Sequence, residues 1–391
     1  MLIGRRVDLP QDYSFFLLGV RGSGKSTLLR QQFVAQQALV INLLDPLEEM
    51  RFLKNPAELR QLVLSLDPSV EWVVLDEIQK VPKLLDVVHL LLETDQSPKK
   101  FILTGSSAKK LRAAGVNLLA GRAFTYYLFP FSYLELGDAF DLDTALAFGL
   151  LPKLFSFTST VNKIKFLQSY VANYLTEEIK AEQLVKNLEY FRRFLEVAAQ
   201  SNGKILSFLN IARDVGVRDK TVKQHFYLLE DTLMGFFLEP FHHSFRKRLR
   251  AAPKFYFIDV GIARALSATL GVMPAPGTSY YGELFEQFIV TECFKLKHYY
   301  QLEYRFSYLL TAGDAEIDLI IERPGLCPLF IEIKSKGDVN AQDIATLSAL
   351  SQDFGDCEAI CLSQDPRRKL IGNVTVYPWK EGLRYIFQVQ D

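Results

Sequence analysis

The sequence predicts an α/β multidomain protein, and three observations carry that prediction. Its 391 residues correspond to roughly two to three domains at about 150 residues each. Short apolar runs alternate with amphipathic stretches in the first third of the chain, give way to a helical spacing, and return towards the C-terminus. Lys plus Arg number 45, as do Asp plus Glu, in a chain that is 49% hydrophobic, which excludes the disordered and fibrous classes. Charge stays balanced region by region, so contact with a polyanion has to come from a local patch.

The first region is read from five runs: FFLL before Gly19, LVINLL from Leu39, WVVLD from Trp72, FILT from Phe101 and FTYYL from Phe124. None alternates apolar with polar, which is the pattern of parallel strands buried on both faces, and the spacers are long enough for helical crossovers. Residues 1–150 are therefore assigned to one α/β domain. In the second, Ile164, Phe166, Leu167, Tyr170, Val171, Tyr174 and Leu175 follow helical spacing, so 151–243 is assigned to a helical domain. After the basic stretch HHSFRKRLR, strand-like runs return at FYFID, AEIDLII, PLFIEIK and EAICLS, and 244–391 is assigned to a second α/β domain.

Between the first strand and the helical run LLRQQFVAQQ lies GVRGSGKST, the context a Walker A loop requires. Gly19, Gly22, Ser23 and Gly24 allow backbone N–H groups to close around phosphate oxygens at the positive end of a helix. Lys25 reaches the outer phosphates, Ser26 is a ligand for Mg2+, and Thr27 completes the loop. The run WVVLDE places Asp76 and Glu77 at the end of a buried strand, a Walker B arrangement. Asp76 holds the metal through its water shell and Glu77 orients or deprotonates the attacking water. FILTGSS ends in Thr104, Ser106 and Ser107, and Ser106 is taken as the candidate γ-phosphate sensor. A turn built from small polar residues is the alternative.

In this order, GVRGSGKS, WVVLDEIQKV, ILTGSSAKKL and LLAGRAFTYYLFPFSYLEL resemble the AAA-type ATPase core of prokaryotic ATP-binding proteins that carry a C-terminal domain of unknown function. The resemblance implies a P-loop NTPase sheet with helices on both faces. It also makes Arg122 a candidate transition-state or coupling arginine, acting in cis or across a subunit boundary, with a structural salt bridge as the alternative.

Residues 206–232 read as helix, turn at Gly216, and second helix, with Ile211, Ala212 and Val215 facing Val217, Val222, Phe226 and Leu229. Arg218, Lys220, Lys223 and Gln224 fall on the polar side of the second helix, where a DNA reader places them. A solvated polar face is the alternative; the family resemblance implies a winged-helix-like module here.

In the third region AEIDLII and PLFIEIK flank a turn with Pro324 and Gly325 and are expected to form a hairpin. Strand alternation places Glu316 with Asp318, and Glu332 with Lys334. The helix GELFEQFIV contributes Glu286. This set is similar to the PD-(D/E)XK nuclease superfamily, which implies that Asp318, Glu332 and Glu286 hold Mg2+ or Mn2+ while Lys334 assists formation of hydroxide. Two roles stay open: an ATP-gated nuclease, or an ATP-driven switch or binding module whose nuclease-like domain cuts nothing.

The expected partners are ATP and ADP, with DNA or RNA as candidate substrates. Oligomerisation is left open. The N-terminus lacks an apolar signal segment and the chain lacks an apolar run of about 18 residues, so no membrane is expected and the cytoplasm is the expected location. Cys293, Cys327, Cys357 and Cys361 lack zinc-ligand spacing and read as buried thiols. His242 and His243 read as ordinary histidines.

Overall fold

The computed structural model describes residues 3–33, 38–93, 97–106, 119, 121–174, 185, 187–241, 252–311 and 313–389. The chain divides into two units, Met1–Glu135 with Asp231–Met234, and Leu136–Glu230 with Gly235–Asp391.

The first unit is built on five strands, β1 (Phe15–Leu18), β2 (Ala38–Asn42), β3 (Trp72–Asp76), β4 (Lys100–Gly105) and β5 (Phe124–Tyr127). They form one parallel sheet in the order β2-β3-β4-β1-β5. Its continuous apolar runs are explained by cover on both faces. On one, Phe16, Leu18, Val73, Leu75, Phe101 and Leu103 pack with residues of α2 (Pro46–Lys54), α3 (Glu58–Leu64) and α4 (Leu84–Glu93). On the other, Phe15 and Trp72 meet Phe33 at the end of α1 (Lys25–Gln32), with ring centroids 5.7 and 4.9 Å apart. Asp45 starts α2 by accepting from Leu47 N at 2.9 Å, with Pro46 following it, an N-cap worth about 1 kcal/mol.

The second unit opens with helices α5 (Leu142–Phe148), α6 (Thr160–Asn173), α7 (Leu188–Gln200), α8 (Phe208–Val215) and α9 (Asp219–Asp231). The expected helix-turn-helix is α8 and α9. Ser207 caps α8, and Gly216, at φ 81°, ends it in the left-handed conformation that a side chain disfavours. Eight strands follow: β6 (Gly235–Pro240), β7 (Lys254–Phe257), β8 (Arg305–Leu310), β9 (Glu316–Glu322), β10 (Leu329–Lys334), β11 (Glu358–Ser363), β12 (Lys369–Ile371) and β13 (Val374–Pro378). They make one mixed sheet in the order β12-β13-β11-β10-β9-β8-β6-β7. The expected hairpin is β9 with β10, antiparallel with Phe330 opposite Ile320. Helices α10 (Val260–Leu266), α11 (Ser279–Tyr299), α12 (Ala345–Phe354) and α13 (Trp379–Phe387) complete the unit.

Three expectations need correction. Residues 136–150, placed with the first domain, fold within the second unit. The stretch 160–240 is not helical throughout, because GFFLEP is strand β6, pairing antiparallel with β7 and parallel with β8. The middle and C-terminal regions therefore share a sheet, and the boundary at 243 falls between two of its neighbouring strands. Finally, Cys293 and Cys361 are buried but Cys327 and Cys357 are only half-buried. Ser107, Leu175, His242, His243 and the basic stretch 246–250 lie outside the described residues. Among the described residues no helix is long and apolar enough to cross a membrane.

Candidate functional site

The loop Gly19–Gly24 joins β1 to α1. Gly22 and Gly24 stand at φ 76° and 97°, a region open to glycine at no steric cost. Gly19 is needed for a different reason: a Cβ there would lie 2.2 Å from Leu128 O and 2.9 Å from Ser23 Oγ. Its N–H donates to Gly105 O at 3.1 Å, tying the loop to the end of β4. Arg5 clamps the loop from beneath, donating to Ser23 O at 2.9 Å, Phe129 O at 2.5 Å and Glu135 Oε1 at 3.0 Å. Ser23 Oγ is buried and has no hydrogen-bond partner, the orphan expected of a cradle shaped for an anion.

The Walker residues converge at the C-terminal edge of the sheet. Lys25, 5% exposed, donates from Nζ to Gly19 O at 2.8 Å. Ser26 Oγ donates to Asp76 Oδ2 at 2.9 Å. The Thr104 hydroxyl donates to the other Asp76 oxygen and accepts from Glu77 N at 2.9 Å. Thr104 therefore orients the metal-side carboxylate, a role closer to Walker B than to phosphate sensing. Thr27 is exposed on the first turn of α1.

Glu77 has φ 61° and ψ 50°, a left-handed backbone that costs a non-glycine residue roughly 1–2 kcal/mol. Its Oε1 lies 4.0 Å from Lys25 Nζ. Gln79, 4% exposed, donates from Nε2 to Glu77 Oε2 and to Ser106 Oγ at 3.2 Å. Because a carboxylate only accepts, the amide nitrogen has to face it. Gln79 thus joins the predicted base to the predicted sensor, and it was not among the residues the sequence singled out. Its signal was present, a Gln inside the buried run that follows Asp-Glu.

Arg122 is not brought to this site. Phe124 pairs with Phe15 at the start of the sheet, so Arg122 precedes the N-terminal edge, whereas the loop follows the C-terminal edge. The offset from Arg122 to Gly19 is about six residues of strand, on the order of 20 Å, beyond the reach of an arginine. A role in cis is therefore excluded by register. Arg122 forms an ion pair with Glu93 at the end of α4.

A second charged cluster lies on the sheet of the other unit. Asp318 Oδ2 accepts from Ile333 N at 2.7 Å, and Lys334 Nζ donates to Glu332 Oε1 at 2.6 Å. Glu286 Oε1 accepts from Tyr256 OH at 2.7 Å. Lys254 at the start of β7, 3% exposed, forms ion pairs with Glu316 Oε1 at 2.5 Å and Glu286 Oε1 at 3.4 Å. Desolvation, with repulsion by Glu332 and Glu286, holds the Asp318 carboxyl well above the usual range. Burial opposes charge on Lys254, but Glu286, Glu316 and Asp318 outweigh it and hold its pKa above the ordinary value. Burial also raises Glu332, against the pull of Lys334. The structure thus brings Glu286, Asp318, Glu332 and Lys334 into one electrostatically coupled cluster with Glu316, which alternation placed beside Asp318, and adds Lys254 and Tyr256. Among the described residues, however, no three His, Cys, Asp or Glu side chains stand close enough together to hold a metal ion.

On the helix-turn-helix, Arg218, Lys220, Lys223 and Gln224 are exposed as expected. Lys223 Nζ lies 5.2 Å over the Phe208 ring. The face opposite is apolar, with His225 buried against Phe191 and Phe194.

Comparison with known proteins agrees with this geometry for the first unit. Residues 11–137 match the family model described as an AAA domain. Residues 139–273 and 281–381 match two models each described as a domain of unknown function, DUF8612 and DUF4143. An uncharacterized protein of Mycobacterium tuberculosis is 26% identical over 323 residues, 81% of this chain and 69% of the relative. One of Haemophilus influenzae is 23% identical over 282 residues, 65% of this chain and 69% of the relative. A solved Walker-type ATPase of Pyrococcus abyssi aligns with a TM-score of 0.44 at 15% identity, covering 66% of this chain and 91% of that one. Residues 11–137, with their parallel five-stranded sheet and glycine loop, thus resemble an AAA-type P-loop domain.

Proposed function

We propose that this protein is a Mg2+-dependent ATPase working in the cytoplasm, and that its second unit engages DNA or RNA. The observation that carries the reading is the convergence of Lys25, Ser26, Asp76 and Glu77 on one glycine-lined loop. The residues fit a nucleotide with its metal. Ser23 Oγ, on the loop itself, is buried without a hydrogen-bond partner. Ser26 and Asp76 form an oxygen pair of the kind Mg2+ takes. Bound there, Mg2+ neutralises charge on the outer phosphates.

The chain's own groups supply the rest. Backbone N–H groups at the start of α1 donate to the phosphate oxygens with the helix dipole behind them. Lys25 exchanges Gly19 O for a phosphate oxygen. Glu77 faces the site and takes the proton of the attacking water, with Gln79 fixing its carboxylate and Ser106 at the other end of that link. Arg122 enters this reading only as a group offered to the site of a neighbouring subunit.

For the second unit, a helix-turn-helix followed by the antiparallel pair β6 and β7 supports a winged-helix-like module, with Arg218, Lys220, Lys223 and Gln224 exposed for phosphate and base contact. A helix followed by strands β8, β9 and β10, carrying Glu286, Asp318, Glu332 and Lys334, supports a PD-(D/E)XK-like part. The ion pairs of Lys254 favour the reading in which this part binds nucleic acid without cutting it.

Two measurements test the proposal. In titration with a fluorescent ATP analogue, Lys25→Ala is expected to weaken binding at least about tenfold, and equal affinity would remove the loop from nucleotide binding. Gel shifts with labelled DNA and RNA at low and high salt test the second half. The expected result is binding that weakens with salt and on charge reversal at Lys220 and Lys223. An absence of any shift at low salt would defeat it.

A further inference from the structure

We infer that Lys254 is the resident cation of the carboxylate cluster on β9 and β10, so that this cluster takes no divalent metal while Lys254 is in place. The inference rests on the PD-(D/E)XK-like reading of the second unit and runs against what that likeness implies. A PD-(D/E)XK site needs carboxylates that converge on an open position with at most solvent inside it. Here an ammonium group stands among them, 2.5 Å from Glu316 Oε1 and 3.4 Å from Glu286 Oε1. Its side chain is 4% exposed, so it is not a surface lysine that swings away at no cost. Tyr256, two residues on along the same strand, donates to the same Glu286 oxygen at 2.7 Å. Of the remaining carboxylates, Asp318 Oδ2 accepts from Ile333 N and Glu332 Oε1 from Lys334, while Glu332 Oε2 is buried without a hydrogen-bond partner. Among the described residues no three acidic, His or Cys side chains converge at metal-binding separation.

Chemistry explains why such a substitution is stable. An ammonium ion on a strand cancels one carboxylate charge and donates in three directions, and buried carboxylates without a counter-charge are strongly destabilising. A lysine supplied by β7 thus does structurally what Mg2+ does in a catalytic site, but it offers no Lewis acid and no bound water for attack.

The test is Mn2+ binding to the nucleotide-free full chain carrying Asp76→Asn with Glu77→Gln, so that neither Walker B carboxylate is left, followed by the electron spin resonance signal of free Mn2+. With Lys254 present no binding is expected up to about 1 mM. Adding Lys254→Met is expected to create one site at least about tenfold tighter, lost again on adding Asp318→Asn. Mn2+ binding with Lys254 in place that disappears with Asp318→Asn would overturn the inference. So would a folded Lys254→Met protein that binds none. Should Lys254→Met not fold, thermal unfolding of the protein carrying Asp76→Asn with Glu77→Gln decides: Mn2+ at about 1 mM is expected to leave its midpoint unmoved. A rise in that midpoint that Asp318→Asn abolishes would refute the inference. Gel shifts in the presence of a chelator test the nucleic-acid reading separately, so either can fail alone.

Discussion

Replacing Gln79 with alanine isolates the link between Glu77 and Ser106. Gln79 donates to both, is 4% exposed, and is tied to a glutamate whose backbone is held in the left-handed region. Glu77 Oε1 stands 4.0 Å from Lys25 Nζ, so the tether holds the carboxylate towards the phosphate loop, and its loss should slow hydrolysis. A hydrogen bond to a charged group contributes about 1.5–3 kcal/mol. If that whole amount acts in the transition state, turnover falls by roughly 10- to 150-fold. Because the hydrogen bonds of Gln79 go to Glu77 and Ser106 and not to the Gly19–Gly24 loop, the KM for ATP should change by less than about threefold. Steady-state phosphate release with a parallel nucleotide titration measures both. Wild-type turnover in Gln79→Ala would refute the reasoning. So would a loss expressed in KM with kcat intact, which would make Gln79 part of the binding frame and not a positioning residue.

Two further predictions concern the second unit. Burial lowers the His225 pKa from 6.5 to about 4. As pH falls below 6.5 the unfolded chain therefore binds a proton that the folded chain refuses, and stability declines through that window by up to about 1.4 kcal/mol per pH unit. Urea midpoints at pH 7 and pH 5 should show this slope, and His225→Phe should flatten it by about one proton; an unchanged slope would exclude His225 as its source. Gly149, at φ 76° and ψ −166°, leaves no room for a Cβ, which would lie 1.9 Å from Asp259 Oδ1. Asp259 caps α10 through Ile262 N at 3.1 Å and accepts from Leu150 N at 2.6 Å. Gly149→Ala should therefore cost at least about 3 kcal/mol from backbone strain and the disturbed cap. A urea midpoint matching the unaltered protein would contradict that.

What the sequence revealed follows from how locally each feature is encoded. The five strands of the first sheet are uninterrupted apolar runs because both faces are covered, and the Walker residues are readable because loop, strand end and helix start are contiguous. β8 and β12 escaped notice because RFSYLL and KLI are short and half-exposed. β6 was hidden for another reason: its partners are β7, across a connection of more than a dozen residues, and β8, further still along the chain. Gln79 was legible in principle, as a polar side chain inside a buried run. Lys254 was not, since a cation opening the strand KFYF reads as its solvated end until β7 is set against Glu286 and Glu316. Arg5 gave no local signal, standing far upstream of the loop whose carbonyl it holds.

The sheet shared by the helical and C-terminal parts of the second unit limits how that unit can be dissected. β6 is bonded to β7 on one side and to β8 on the other. A fragment starting near residue 244 would lack β6 and so cast β7 adrift, taking Lys254 and Tyr256 away from the carboxylates they serve. Metal affinity or cleavage found in such a fragment would belong to an object the intact chain never forms. α9 rests on the same two strands, Phe226 lying 6.1 Å from Phe237 of β6 and 5.0 Å from Phe255 of β7, so the strand that such a cut removes is also part of the seat of the helix-turn-helix.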